Sequence, residues 1–130
     1  MKRLALILYL FSMTADAEWK LALESERFEA YIDYSRIKTE GQYLSVWGLD
    51  NFKAPQTVSS GKQIKSTVAK MLIDCQASRK QSVALYIYSE HMGKGEAVFS
   101  TSTPFQESNW QYPPPNSIGD GYINIACGRK

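Results

Sequence analysis

The chain has 130 residues and a formal net charge of +2 at pH 7, from 15 Lys and Arg against 13 Asp and Glu. This length allows one domain with a single core, and the scattered charges exclude the basic stripe expected of a nucleic-acid-binding protein. After the N-terminus no apolar stretch is long enough to span a bilayer, and the charge balance gives no strong attraction to an anionic membrane surface.

The first seventeen residues have the order of features typical of a secretory signal peptide. Two basic residues follow the first methionine, an unbroken apolar run covers Leu4 to Phe11, and Ala15-Asp16-Ala17 supplies the small residues of a cleavage site. We expect residues 1–17 to be removed and residues 18–130 to form the exported domain, in the periplasm, on the cell surface or in the medium. The absence of a cysteine at the cut argues against a lipid anchor there. An ordinary N-terminal strand or helix is the alternative.

Most of the remaining chain alternates apolar and polar residues with a period of two, which is typical of half-buried strands. The predicted strands cover Trp19–Leu23, Arg27–Ile37, Gln42–Leu49, Lys65–Cys75, Gln81–Ser89 and Glu96–Thr101. Short turns join most of them, so an antiparallel meander is expected. The segment from Asp50 to Gly61, with its Asn, Pro, Ser and Gly residues, predicts a long loop.

The C-terminal segment predicts an extended connector followed by a helix. Pro113-Pro114-Pro115 disfavours a strand and favours a polyproline conformation. Asn116 or Ser117 is a suitable N-cap. Gly119 and Gly121 each weaken the helix by about 1 kcal/mol relative to Ala, so it requires tertiary packing. The expected apolar face consists of Ile118, Tyr122, Ile125 and Ala126.

Cys75 and Cys127 are the two cysteines of the chain. Because export brings them into an oxidising compartment, we predict a disulfide between them, with two free thiols as the alternative. Their wide separation and the absence of a C-x-x-C motif argue against a redox-active pair. The expected fold is α+β and mainly β: a six-stranded antiparallel meander sheet, with a C-terminal helix packed on one face and tethered by the disulfide.

Groupings typical of enzymes are missing from the sequence. His91 is the one histidine and lies in a glycine-bearing turn, and no G-x-S-x-G surrounds any serine. A metal site would need more ligands than one histidine and a bridged cysteine pair supply. We therefore expect no catalysis and no cofactor, with a hydrolase built from carboxylates alone as the enzyme alternative.

Large aromatic residues fall on the strand faces that a single helix cannot cover. They either close the core against loops or form an exposed contact surface. The residues concerned are Tyr31, Tyr43, Trp47, Tyr86 and Tyr88.

The order and spacing of several short motifs extend from Trp19 to Cys127. They include Tyr31-Ile32-Asp33, Val46-Trp47 followed by Leu49-Asp50-Asn51-Phe52, Ile73-Asp74-Cys75, Tyr86 with Tyr88-Ser89, Met92-Gly93 with Gly95, and Trp110. Together they resemble the surface-adhesin protein E family. The resemblance implies an antiparallel sheet with a disulfide-tethered C-terminal helix. It also implies the role of the family's namesake, a surface adhesin that binds host matrix or serum proteins. The tripled proline and Gly121 depart from the family pattern.

We therefore predict an exported, non-catalytic binding protein whose partner is a protein, such as a host extracellular-matrix or serum protein. The candidate contact residues are Lys53, Lys62, Lys65, Arg79, Tyr86 and Tyr88. The alternative for the lysines is that they only keep the surface soluble. The alternative function is a periplasmic inhibitor or immunity-type protein that blocks a hydrolase. Homodimerisation through a sheet edge or the aromatic face is a further hypothesis.

Overall fold

The structure is a computed structural model that describes residues 17–129, so nearly all of the predicted signal peptide lies outside the described residues. The described chain forms seven strands and one α-helix. The strands are β1 (Trp19–Glu24), β2 (Phe28–Asp33), β3 (Lys38–Glu40), β4 (Tyr43–Thr57), β5 (Gln63–Asp74), β6 (Arg79–Tyr88) and β7 (Ala97–Ser102), and the helix is α1 (Ile118–Ala126).

All strands belong to one antiparallel sheet with the order β1-β2-β4-β5-β6-β7, and the short β3 pairs with β4. The predicted meander is confirmed, with one strand more than expected. The predicted second strand stops early because the Asp33 carboxylate accepts a hydrogen bond from the Ser35 N–H at 3.0 Å. This bond caps a 3₁₀ turn at Tyr34–Arg36, after which the chain forms β3 as a short hairpin on β4.

The predicted long loop from Asp50 to Gly61 is wrong over most of its length, because β4 continues to Thr57. Pairing with β5 is irregular between Asn51 and Gln56 and resumes at Gln56 opposite Ile64. Pro55 lies inside this irregular segment. Proline has no backbone N–H, and at this position its absence interrupts no regular hydrogen bond between the strands. The actual turn is tight, with the Val58 N–H bonded to the Lys62 carbonyl oxygen at 2.9 Å.

The helix packs on one face of the sheet and forms the main core with it. Alternate residues of the central strands point towards the helix. Val46 and Ile73 are among them, and both are completely buried. The core cluster comprises Ala30, Ile32, Val46, Met71, Ile73, Tyr122 and Ile123. Among the described residues no helix is long and apolar enough to cross a membrane.

Gly121 has a packing role that the sequence pattern did not show. A Cβ there would lie 2.8 Å from Cδ1 of Leu23, so a larger residue would displace the Leu23 side chain where α1 packs on β1. Ser117 caps the helix by accepting a hydrogen bond from the Asp120 N–H at 3.2 Å, as expected of an N-cap serine.

The Cys75–Cys127 disulfide is present, with the two Cα atoms 5.8 Å apart. Cys75 directly follows β5 and Cys127 directly follows α1. The bridge therefore tethers the end of the helix to a central strand, as predicted.

Candidate functional site: an aromatic groove opposite the helix

The face of the sheet opposite the helix carries a groove of about 740 Å³. We call it the aromatic groove. Its principal lining side chains are Trp19, Arg36, Trp47, Tyr86, Tyr88 and Lys94.

The strand pleat brings aromatic residues from separate strands to this face. Trp47 and Leu49 lie two positions apart in β4, so both point away from the helix. In register, Leu49 is opposite Val68, which is opposite Tyr86 in β6. The rings of Trp47 and Tyr86 consequently lie 6.3 Å apart between centroids, tilted by 32°. The groove thus has an aromatic floor that spans several strands.

Arg36 forms one wall of the groove and is held there on two sides. Its guanidinium carbon lies 5.7 Å from the ring centroid of Trp19 and 5.1 Å from that of Trp47, both within cation–π range. Its Nε donates a hydrogen bond to the buried Asp33 carboxylate at 2.6 Å. The cation is therefore fixed between two indole rings, which cover part of its surface and leave it facing the groove.

Asp33 is the anchor of this arrangement. Burial raises the pKa of its carboxyl, but the hydrogen bonds from Ser35 and Arg36 and the Arg36 charge outweigh that effect and hold the pKa below its usual value. Asp33 is therefore a carboxylate at neutral pH, which keeps Arg36 in place. The side chain of Asp33 is 1% exposed, so a molecule in the groove contacts Arg36 and not this carboxylate.

The loop between β6 and β7 closes one end of the groove. The Met92 N–H donates to the Asn51 side-chain oxygen at 2.9 Å, and the Gly93 N–H donates to the Ser66 hydroxyl at 2.9 Å. Ser66 in turn donates to the Glu90 carbonyl at 2.6 Å. These bonds clamp the loop onto β4 and β5, so the end wall is preformed.

The predicted tyrosine contacts, Tyr86 and Tyr88, both line the groove, whereas the four predicted cations do not. Each cation is paired with a carboxylate. The pairs are Lys53–Glu24 at 2.6 Å, Lys62–Glu96 at 3.3 Å, Lys65–Glu90 at 3.4 Å and Arg79–Asp74 at 2.8 Å. The structure therefore does not unite the six candidates in one surface, and their role as partner contacts stays a prediction.

A second aromatic cluster lies at the far end of the sheet and belongs to the packing of the C-terminal connector. The ring centroids of Tyr43 and Trp110 are 5.0 Å apart, and those of Phe105 and Trp110 are 5.6 Å apart. The Arg79 guanidinium lies 4.4 Å from the Trp110 ring. Both explanations of the second-face aromatics therefore apply: Tyr43 packs against the connector, while Trp47, Tyr86 and Tyr88 line the groove.

Sequence reasoning missed Trp19, Arg36 and Lys94 as groove residues. Arg36 fell inside a predicted strand, and only the Asp33-capped turn brings it back over Trp47. The turn signal was Asp33 followed two positions later by Ser35, a pattern typical of Asx turns. Nothing in the strand pattern indicates that Lys94 lines the groove.

The described residues hold no arrangement typical of catalysis at this site. The charged lining residues are Arg36, which is paired with Asp33, and the exposed Lys94. His91 is exposed, with Nδ1 3.1 Å from the Asn51 side-chain oxygen. Across residues 17–129 no group of three or more His, Cys, Asp or Glu side chains is placed to hold a metal ion.

Comparison with known proteins connects this architecture to one family. Haemophilus influenzae protein E superposes with a TM-score of 0.62 at 14% identity, over 87% of this chain and 86% of that chain. Its crystal form II gives a TM-score of 0.60 at 15% identity, over 82% of this chain and 91% of that chain. The protein E of non-typeable Haemophilus influenzae gives a TM-score of 0.60 at 15% identity, over 87% of this chain and 77% of that chain.

At these identities the superpositions show a shared fold. No curated protein matches the chain. The sequence itself matches the family model described as "Surface-adhesin protein E" over residues 19–128, which is nearly the whole described chain. The chain belongs to the surface-adhesin protein E family.

Proposed function

We propose that this chain is an exported, non-catalytic binding protein of the surface-adhesin type, and that the aromatic groove is its contact surface. The observation that carries the proposal is the Arg36 guanidinium, held between Trp19 and Trp47 at the wall of a large open groove. Membership in a family of surface adhesins supports the binding role and the surface location.

The groove has the composition of a binding hot spot. Tryptophan, tyrosine and arginine dominate the residues whose loss weakens protein–protein complexes most, and all three line this surface. The side chains are also preorganised, because Asp33 fixes Arg36 and the Asn51 and Ser66 bonds fix the end wall. A partner therefore meets a surface that requires little ordering on binding.

The charge of the groove defines the partner segment. Its charged lining residues, Arg36 and Lys94, are both cations. A complementary segment carries carboxylates towards these cations and apolar or aromatic side chains over Trp47 and Tyr86. We propose that such a segment belongs to a host extracellular-matrix or serum protein.

Solid-phase binding to laminin and vitronectin tests the function. The wild-type protein is expected to bind at least one of them saturably at micromolar concentration. Trp47→Ala and Tyr86→Ala are each expected to weaken that binding about tenfold or more, as for a hot-spot aromatic. The matched control is Tyr112→Ala, an exposed tyrosine outside the groove, which is expected to bind like the wild type.

Two results would count against this proposal in different ways. Absence of saturable binding to either protein would contradict the partner class. Wild-type binding by both groove variants, together with weakened binding by variants of the paired cations Lys53 and Lys62, would show that the contact surface lies outside the groove.

Export is part of the same proposal. The order of basic, apolar and small residues in 1–17 supports cleavage after Ala17. The intact mass of protein recovered outside the cytoplasm is expected to match residues 18–130 with two hydrogens fewer than the reduced chain. A mass that includes residues 1–17 would refute the cleavage.

A second copy of the chain is the proposed partner of the sheet edge. Strand β7 is an edge strand without charge or proline, and its Phe99 side chain is 51% exposed. Such an edge favours strand pairing with another chain. Light scattering is expected to give the mass of a dimer, and a purely monomeric mass at high concentration would refute the pairing.

A further inference from the structure

A smaller cavity lies on the helix side of the sheet, away from the aromatic groove. It has a volume of about 240 Å³, is open to solvent on one side and is lined by α1 and strands β4, β5 and β6. We call it the helix-side cavity. Its polar lining residues are Asp50, Thr67, Lys80, Ser82 and Tyr122, and its apolar walls include Ala69, Met71, Leu85 and Ile118.

Asp50 supplies the negative wall of this cavity. Its carboxylate accepts a hydrogen bond from the Tyr122 hydroxyl of the helix at 2.9 Å. Space for that ring depends on Gly48, since a Cβ there would lie 3.1 Å from Cε1 of Tyr122 and 3.0 Å from Cε of Met71. Burial raises the pKa of the Asp50 carboxyl, while the Tyr122 bond and the Lys80 charge lower it in part.

Lys80 supplies the positive wall. Its stem passes close to Gly119, where a Cβ would lie 3.1 Å from Cε of Lys80 and 3.0 Å from Pro113. Its ammonium donates to the Gln111 side-chain oxygen at 3.3 Å. Burial lowers the pKa of Lys80, and the Asp50 charge raises it in part.

The two charges line the same cavity without touching each other. Among the ion pairs of the described residues, which join N and O atoms within 4.0 Å, none links Asp50 to Lys80. Each charge is partly desolvated and is hydrogen-bonded to a neutral group, Tyr122 for Asp50 and Gln111 for Lys80. A molecule that places an opposite charge on each of them would therefore gain charge-assisted hydrogen bonds at both walls. A ligand that carries one charge only would leave the opposite wall unmatched.

We propose that the helix-side cavity binds a small zwitterion, with its ammonium on Asp50 and its carboxylate on Lys80. The volume is below the roughly 300–1,000 Å³ of pockets for drug-sized ligands, and a ligand about the size of an amino acid fits it. Thr67 and Ser82 add hydroxyl groups to the lining, and Ala69 and Leu85 accommodate a short aliphatic segment. This site lies on the opposite face from the aromatic groove and does not depend on the proposed adhesin function.

A titration followed by ¹H–¹⁵N NMR tests the site with defined compounds. Glycine, β-alanine and 4-aminobutanoate span a range of charge separations, and acetate and methylamine each carry one of the two charges. At least one zwitterion is expected to shift the amide signals of Asp50, Lys80 and Tyr122 saturably. Acetate and methylamine are expected to bind about tenfold more weakly or worse, because each lacks one charge-assisted hydrogen bond.

Charge-neutral variants identify the walls. Asp50→Asn keeps an oxygen that accepts the Tyr122 bond, and Lys80→Gln keeps a polar stem, so both are expected to fold. Each is expected to weaken zwitterion binding about tenfold or more. The matched controls Glu26→Gln and Lys38→Gln remove exposed charges elsewhere and are expected to bind like the wild type.

Three outcomes would overturn the proposal. One is no saturable shift by any zwitterion at concentrations on the order of 10 mM. The second is equal affinity for acetate or methylamine, and the third is unchanged affinity in Asp50→Asn and Lys80→Gln. Groove variants and laminin or vitronectin binding report on the other face, so failure here is distinguishable from failure of the adhesin proposal.

Discussion

Removal of the Cys75–Cys127 bridge is expected to cost a large part of the folding free energy. The variant is the double substitution Cys75→Ala and Cys127→Ala. The two cysteines are 52 positions apart. In the chain-entropy description, cross-linking at this separation destabilises the unfolded chain by about 4 kcal/mol. That is a large share of the roughly 5–15 kcal/mol that stabilises a typical domain.

The structure adds a local consequence at the helix. The nine residues of α1 include two glycines and form too short a helix to persist without tertiary contacts. They bury Tyr122 and Ile123 against the sheet, and the bridge fixes the C-terminal end of this contact. We therefore expect loss of the bridge to accelerate amide hydrogen exchange more in the last turn of the helix than in the central strands.

Urea unfolding of the wild type and the double variant measures the effect. The expected loss is about 4 kcal/mol in the free energy of unfolding, or about 10–20 °C in Tm for a domain of this size. A reducing agent should destabilise the wild type similarly and leave the double variant unchanged. A loss below about 1 kcal/mol would refute the reasoning, because the bridge would then not restrict the unfolded chain as described.

Two further predictions concern steric fit and pH. Gly48→Ala is expected to lower the free energy of unfolding by about 1–3 kcal/mol, since the added Cβ would crowd Tyr122; urea unfolding measures this, and unchanged stability would contradict it. Burial raises the pKa of Asp33 and Asp74, but hydrogen bonds and neighbouring arginines hold both below the usual 3.8. At acidic pH the folded protein therefore binds fewer protons at these two groups than the unfolded chain does. Their contribution to the stability of the fold is present above pH 3.8 and is lost as the pH falls below it. In Asp74→Asn the acid-side slope of stability against pH is expected to be shallower than in the wild type, and identical slopes would rule this out.

The sequence predicts the strands well where side chains alternate between two different environments. In Lys65–Cys75 the alternation matches a central strand with Met71 and Ile73 facing the helix. It fails around Ala54-Pro55, because turn-forming residues also occur where a strand merely becomes irregular. Local composition cannot separate these cases, since the difference depends on pairing with β5.

The candidate site was harder to predict because long-range contacts assemble it. The second-face aromatics were visible as a pattern, and Trp47, Tyr86 and Tyr88 do meet in the groove. Arg36 reaches them only through the turn after Asp33. The ion pairs Lys65–Glu90 and Lys62–Glu96 join residues 25 and 34 positions apart in the sequence. Local sequence patterns do not predict such pairs.

The position of the disulfide also bears on how the chain reaches its folded state. With one pair of cysteines, a single intramolecular pairing exists, so oxidation within one molecule cannot produce a scrambled isomer. Cys127 follows every strand of the described chain in sequence, so all of these strands are synthesised before the bridge can close. Covalent closure therefore comes after synthesis of the whole sheet, and it joins the last element of the described chain to a central strand.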